Sequence, residues 1–141
     1  MTSFVLDASV ALAATLPGEA AVEIASAIVS RIPVDGAWVP GLWLVEVGNA
    51  VLRRLRRGLL HEGAAKELLD RLYAIPITID DYTPHSALWM AFRYSAQYGL
   101  TLYDGCYLEL ALRRGLPLAT FDNALRRAAE AARVPLANPP A

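Results

Sequence analysis

Cysteine is nearly missing from this 141-residue chain: Cys106 stands alone, so no disulfide can form within it. Histidine is limited to His61 and His85. With so few soft or imidazole donors, and none clustered, the usual zinc ligand sets are excluded. Neither Ser9 nor Cys106 has a histidine placed in pattern to activate it, which removes a serine or cysteine triad. Long apolar runs are absent too. Stretches such as residues 10–14 fall far short of the roughly 18 residues that spanning a bilayer requires, and the first residues reach Asp7 before a secretory apolar core can develop. A soluble, cytoplasmic protein is expected. The formal net charge of −1 supplies no overall field to attract nucleic acid, so any such binding has to use local basic patches. Lysine is reduced to Lys66, leaving arginine, whose planar fork suits phosphate, as the working cation.

What the chain does have is apolar residues, 55% against 19% charged. That balance suits layered α/β architecture with strands covered on both faces, and the length suits one domain over residues 1–141. Strand and helix patterns alternate, which predicts a mostly parallel sheet. Short strands are expected at residues 4–6, 37–39, 77–79 and 116–120, with a fifth at 134–137 before a Pro139-Pro140 tail. Helices are expected at 8–15, broken by Pro17-Gly18, then at 19–31 ahead of Pro33, and at 42–57, ended by Gly58. Further helices follow at 62–73, 84–98, 104–114 and 123–133. No repeat, linker or low-complexity tract interrupts the order.

In open parallel sheets functional groups collect beyond the carboxyl ends of the strands, where the strand order reverses. Asp7 follows the first strand, Glu46 lies in the first turns of the helix after the second, and Asp122 follows the fourth. Asp104 opens a helix instead. Ten helical residues travel about 15 Å and the following strand returns roughly 16 Å, so Asp104 and Asp122 fall at one level. Carboxylates gathered so closely raise one another's pKa unless a positive charge sits among them. Hard oxygen donors favour Mg²⁺ or Mn²⁺, and such an ion suits hydrolysis of a phosphodiester.

Each acid also has a purely structural role open to it. Asp7, Asp104 and Asp122 stand where helix N-caps are expected. Glu46 lies on an otherwise apolar helix, where a charge is costly unless paired or metal-bound, and Arg53 is available at helical spacing as a partner. Asp80 and Asp81 follow the third strand, where they could extend the acidic site, but they precede Pro84 and are read as the start of the next helix. Arg53, Arg54, Arg56 and Arg57 form the densest basic run. Arg53 and Arg57 share Glu46's side and are candidates for contact with a nucleic-acid phosphate, while all four, like Arg113-Arg114, also complement a helix C-terminus. Tyr98, Tyr103 and Tyr107 are candidates for base stacking or for core packing. Cys106 is read as a small buried residue.

Taken together, Val5-Leu6-Asp7-Ala8-Ser9, Glu46 with Asn49, Leu102-Tyr103-Asp104 and Leu116-Pro117-Leu118-Ala119-Thr120-Phe121-Asp122 resemble the PIN-domain ribonucleases, above all the VapC-type toxins of toxin-antitoxin pairs. The resemblance spans nearly the whole chain and is carried by the order and spacing of the motifs. It implies a PIN-like three-layer α/β/α domain with a central, mostly parallel sheet of four to five short strands. It also implies catalytic and Mg²⁺- or Mn²⁺-binding roles for Asp7, Glu46, Asp104 and Asp122, with Ser9, Asn49 and Thr120 lining the pocket. RNA, often transfer RNA, is the implied substrate, and a small antitoxin and a second copy of the chain are the implied partners. An aspartate-nucleophile phosphatase expects a second acid two residues after the first, where this chain has Ser9. A phospho-receiver module needs a lysine by the site, and Lys66 lies within a helix. A binding module whose acids serve only as caps is the remaining alternative.

Overall fold

A computed structural model describes residues 2–137; the Pro139-Pro140 tail lies outside them. Phe4–Leu6 forms β1, and all three of its side chains are fully buried, as a strand covered on both faces requires. It is flanked by β2 (Ala37–Val39) and β4 (Leu118–Ala119), and β3 (Thr78–Ile79) pairs outside β2, giving the order β3-β2-β1-β4 with every pair parallel. The chain therefore builds outward from β1 on one side and returns to its other side with β4. The reversal of strand order falls between β1 and β4.

Two groups of helices cover the sheet. One comprises α1 (Ala8–Thr15), α2 (Val22–Ser30), α4 (Trp43–Arg56) and α5 (Glu62–Tyr73), which pack on one another. The other centres on α8 (Leu102–Arg114), which lies on β1 and β4 and is flanked by α6 (Thr83–Ser86), α7 (Phe92–Tyr98) and α9 (Asn123–Ala131). Residues 105–111 of α8 are all buried. Gly105 permits this: a Cβ there would clash with Ser95 Oγ and meet the Ala91 carbonyl oxygen at 2.8 Å.

Several elements depart from the sequence reading. The helix expected at 19–31 starts at Val22, and Pro33, expected to follow its end, instead sits in the first turn of a separate short helix, α3 (Ile32–Asp35). The helix expected at 84–98 begins at Thr83 and contains a π-helical turn, Ala87–Ala91, in which the Phe92 N–H reaches back to the Ala87 carbonyl. α8 starts two residues before Asp104, with Thr101 as its N-cap. The strand expected at 116–120 contracts to two residues. The fifth strand is reduced to a single parallel bridge, Leu118 with Leu136, held by Leu118 N–H on the Pro135 carbonyl (2.9 Å) and Ala137 N–H on the Leu118 carbonyl (2.8 Å). Pro117 and Pro135 lack the N–H groups a longer ladder would use. Among the described residues no helix is long and apolar enough to cross a membrane.

Candidate active site

The carboxyl ends of β1 and β4 meet at Asp7, whose backbone N–H bonds to the Ala119 carbonyl at 2.9 Å. Asp7 occupies the N-cap position of α1, yet its side chain makes no capping hydrogen bond. Its Oδ2 instead accepts from Ser9 Oγ at 2.6 Å and from Thr120 Oγ1 at 2.7 Å. Each hydroxyl is oriented from its far side, because Ser9 Oγ accepts the Phe121 N–H (3.1 Å) and Thr120 Oγ1 accepts the Asp122 N–H (3.0 Å). The loop after β4 is thereby tied to the carboxylate after β1. Asp7 is only 5% exposed, and burial, reinforced by the charge of Asp122, raises its pKa against the pull of these hydrogen bonds.

Asp122 does cap: its Oδ2 accepts the Leu125 N–H at 2.8 Å at the start of α9. Asp104 does not. It lies in the first turn of α8, where Thr101 is the N-cap and its Oγ1 accepts the Asp104 N–H at 3.2 Å. Burial, then the charges of Asp122 and Asp7, push its pKa up to about 6.

Glu46 is held differently from the pairing with Arg53 that helical spacing offers. Its Oε1 accepts from the hydroxyl of Tyr107 at 2.6 Å, across 61 positions of sequence. Tyr107 is fully buried in the core, as the packing reading has it, and its hydroxyl adds a hydrogen bond that this reading did not include. The geometric signal was present, since Tyr107 falls one helical turn after Asp104 and so shares its side of α8. Burial, followed by the charges of Asp7 and Asp104, pushes Glu46 up to about 7 despite the hydrogen bond. The structure thus brings Asp7, Glu46, Asp104 and Asp122 within electrostatic reach of one another, although they come from four separate stretches of chain.

Glu46 and Asp104 open into a cavity of about 430 Å³ that Asn49, Arg53, Thr101 and Tyr103 also line. Arg53 stands on its rim without an ion-pair partner among the described residues, and Arg57 lines a neighbouring recess with Ser9. Arg54 of the same run is committed to Glu19.

Asp80 stands apart from this site and is not the helix start that its position before Pro84 suggested. Its side chain is wholly buried and takes a bidentate pair from Arg113 (2.7 and 3.1 Å) with Thr83 Oγ1 donating at 2.7 Å. Arg113 also binds Glu109, and Arg114 stacks 3.4 Å over the Trp38 ring, so these arginines do more than complement a helix end. Burial pushes the Asp80 pKa up, but Arg113, Thr83 and Arg114 outweigh it and hold the carboxyl below its usual value. Cys106 is buried, and its thiol is pushed up to about 11 by burial and then by Glu109 and Glu46, which rules it out as a nucleophile at neutral pH.

A parallel sheet of this order, with acids converging at its switch point, is the architecture of a PIN domain. The PIN domain profile matches residues 4–131, and the chain belongs to that family. It is 34% identical over 106 residues to Ribonuclease VapC1 of Mycobacterium tuberculosis, covering 74% of this chain and 77% of the relative. It is 34% identical over 80 residues to Ribonuclease VapC3 of Pyrobaculum aerophilum, covering 57% of this chain and 61% of that protein. Among solved structures, PAE2754 from Pyrobaculum aerophilum superposes with a TM-score of 0.66 at 23% identity, covering 90% of this chain and 84% of that one. FitAcB from Neisseria gonorrhoeae gives 0.61 at 20% identity, covering 96% of both chains. At these identities the structural likeness is one of fold.

Proposed function

We propose that this protein is a metal-dependent endoribonuclease that hydrolyses RNA phosphodiester bonds, the toxin of a toxin-antitoxin pair, with Asp7, Glu46, Asp104 and Asp122 as its catalytic, metal-holding residues. The observation that carries the reading is the convergence of these acids at a strand-order switch point, with Asp7 held by Ser9 and Thr120, Glu46 held by Tyr107, and none of the four in an ion pair among the described residues. An all-carboxylate donor set fits Mg²⁺ or Mn²⁺. As placed, no three acidic, histidine or cysteine side chains among the described residues form a ready chelate, so the carboxylates have to turn toward a common point when they take up an ion. Asp7 is locked by Ser9 and Thr120 and Glu46 is held at one oxygen by Tyr107, so Asp104, which lines the same cavity as Glu46, is the member left to turn.

A divalent cation bound there supplies Lewis-acid activation of water and neutralises charge on the phosphodiester. The protein's own part is to orient and to hold protons. Tyr107 fixes Glu46 through its hydroxyl and leaves the other carboxylate oxygen for ligand or water. Asn49 and Arg53 line the wall on which a substrate phosphate arrives, and Arg53 supplies the positive charge that the acids lack. Structured RNA such as transfer RNA is the proposed substrate class. A small antitoxin is the proposed inhibitor, and a second copy of the chain a further partner. The dimer is supported by Trp89 (76% exposed), Leu88 and Phe92, which leave the π turn and α7 with an uncovered apolar face.

The test is cleavage of RNA by the purified protein with Mn²⁺ and with chelator. Activity is expected with the metal alone, and Asp7→Asn or Asp104→Asn should reduce it by at least ~10²-fold while leaving the circular dichroism spectrum unchanged. Equal cleavage in chelator would refute the metal mechanism.

A further inference from the structure

Beside the acidic cavity lies a second recess, of about 470 Å³, whose chemistry is the opposite. Its rim carries Arg53, Arg54 and Arg57, and its inner wall is apolar, with Leu12, Leu16 and Phe121. Glu19 is the acid in the lining, and its ion pair with Arg54 neutralises both, leaving Arg53 and Arg57 as cations without an ion-pair partner among the described residues. The volume matches a pocket for one small molecule.

Two connections join this recess to the proposed catalytic centre. Arg53 lines both cavities, so one side chain is shared between them. Ser9, in the recess lining, donates to Asp7 at 2.6 Å and accepts the backbone N–H of Phe121 at 3.1 Å. The aromatic wall is therefore anchored to the same hydroxyl that positions the acid. A pocket of carboxylates repels an RNA backbone. Two free arginines beside an apolar wall supply what single-stranded RNA needs, phosphate contacts plus a surface for an unpaired base.

We propose that this recess is a nucleotide subsite. It takes the RNA residue next to the scissile phosphate, placing its base against Phe121, Leu12 and Leu16 and its phosphate on Arg53 and Arg57. The Arg54–Glu19 pair forms a fixed wall. The inference rests on the ribonuclease reading and deepens it, because it confines the substrate at this point to an unpaired nucleotide: a base held in a duplex cannot enter.

The test measures binding, in chelator, of a fluorescein-labelled, random-sequence single-stranded RNA decamer by anisotropy over a range of KCl concentrations, with circular dichroism to verify each variant's fold. The double variant Arg53→Gln/Arg57→Gln should bind at least ~10-fold more weakly, and the slope of log K against log salt should fall by about 0.7, the share of the one phosphate that the two arginines hold on a single strand. Ala20→Trp places a bulky ring in the recess from an exposed rim position and keeps the arginines. It should weaken binding at least ~5-fold, the lower end of one base stack, with the slope unchanged. Arg93→Gln, an exposed position on α7, controls for net charge. Wild-type binding by Ala20→Trp, or a slope change in Arg93→Gln equal to that of the double variant, overturns the subsite. Asp7-dependent cleavage alongside unaltered binding in both recess variants overturns the subsite alone. A wild-type protein that neither binds the decamer nor cleaves RNA with Mn²⁺ overturns the ribonuclease reading and the subsite with it.

Discussion

Glu46→Gln removes a charge and little else, since the amide oxygen can still accept from Tyr107. In the metal-free protein Glu46 is displaced from 4.5 to about 7. At ~1.4 kcal/mol per pH unit, keeping it ionised costs about 3 kcal/mol, and solvent reaching a partly exposed carboxylate reduces that to about 1–2 kcal/mol. The sign follows from linkage. A carboxyl whose folded pKa is raised binds more protons folded than unfolded, so its stabilising effect is present below the unfolded value and is lost as pH rises through about 7. In chelator at pH 8 the variant should therefore be more stable than wild type by about 1–2 kcal/mol, or about 3–6 °C in Tm. The gain should fade as the pH falls to 4.5, where the native side chain is itself protonated. Saturating Mn²⁺ should then act in the opposite sense, raising the wild type by about 2.7 kcal/mol at a hundredfold excess over Kd and the variant by less. Thermal and urea denaturation at pH 4.5, 6 and 8, each with and without Mn²⁺, measures all of this. A variant no more stable than wild type at pH 8 in chelator would mean that Glu46 is already neutralised by a fixed cation, and the repulsion argument fails.

The buried ion-pair cluster behaves oppositely. Arg113→Ala leaves the wholly buried Asp80 carboxylate without its bidentate partner and should cost about 3–5 kcal/mol at pH 7, read as a lower urea midpoint. Because Asp80 is held below its usual pKa, that stability is present above the unfolded value and lost as pH falls below about 4; a loss under about 1 kcal/mol would contradict the burial of the pair. If Trp89 lies at a dimer interface, Trp89→Glu should shift the sedimentation coefficient from dimer to monomer, whereas an unchanged dimer places the interface elsewhere.

What the sequence made legible was whatever rests on local pattern. An apolar triplet ending in Asp7 can only be a buried strand with an acid at its carboxyl end, and the Gly58 and Gly115 stops bound two helices because both adopt positive φ. Periodicity also placed Glu46 and Asn49 on one side of α4, and the cavity they share follows from that. What stayed hidden were partnerships between distant stretches. Tyr107 donates to Glu46, and local spacing shows only that Tyr107 shares Asp104's side of α8; that Arg113 neutralises Asp80 it does not show at all, and it offered Glu46 a nearer partner, Arg53, which Glu46 does not take. The π turn was equally invisible, because one extra residue within a helix disturbs a 3.6-residue period too little to read. The capping roles of the acids divided for a similar reason. Asp122 caps, whereas Asp7 is turned away by two hydroxyls, one of them 113 positions distant.

The most direct measurement is anomalous diffraction at the manganese edge from crystals soaked in MnCl₂. One or two peaks should appear within ~2.0–2.5 Å of carboxylate oxygens, with Asp7 among the ligands and Asp104 or Asp122 joining it. A fully occupied ion elsewhere on the molecule, or no peak at saturating Mn²⁺ in crystals whose solvent channels reach the cavity, would contradict the account.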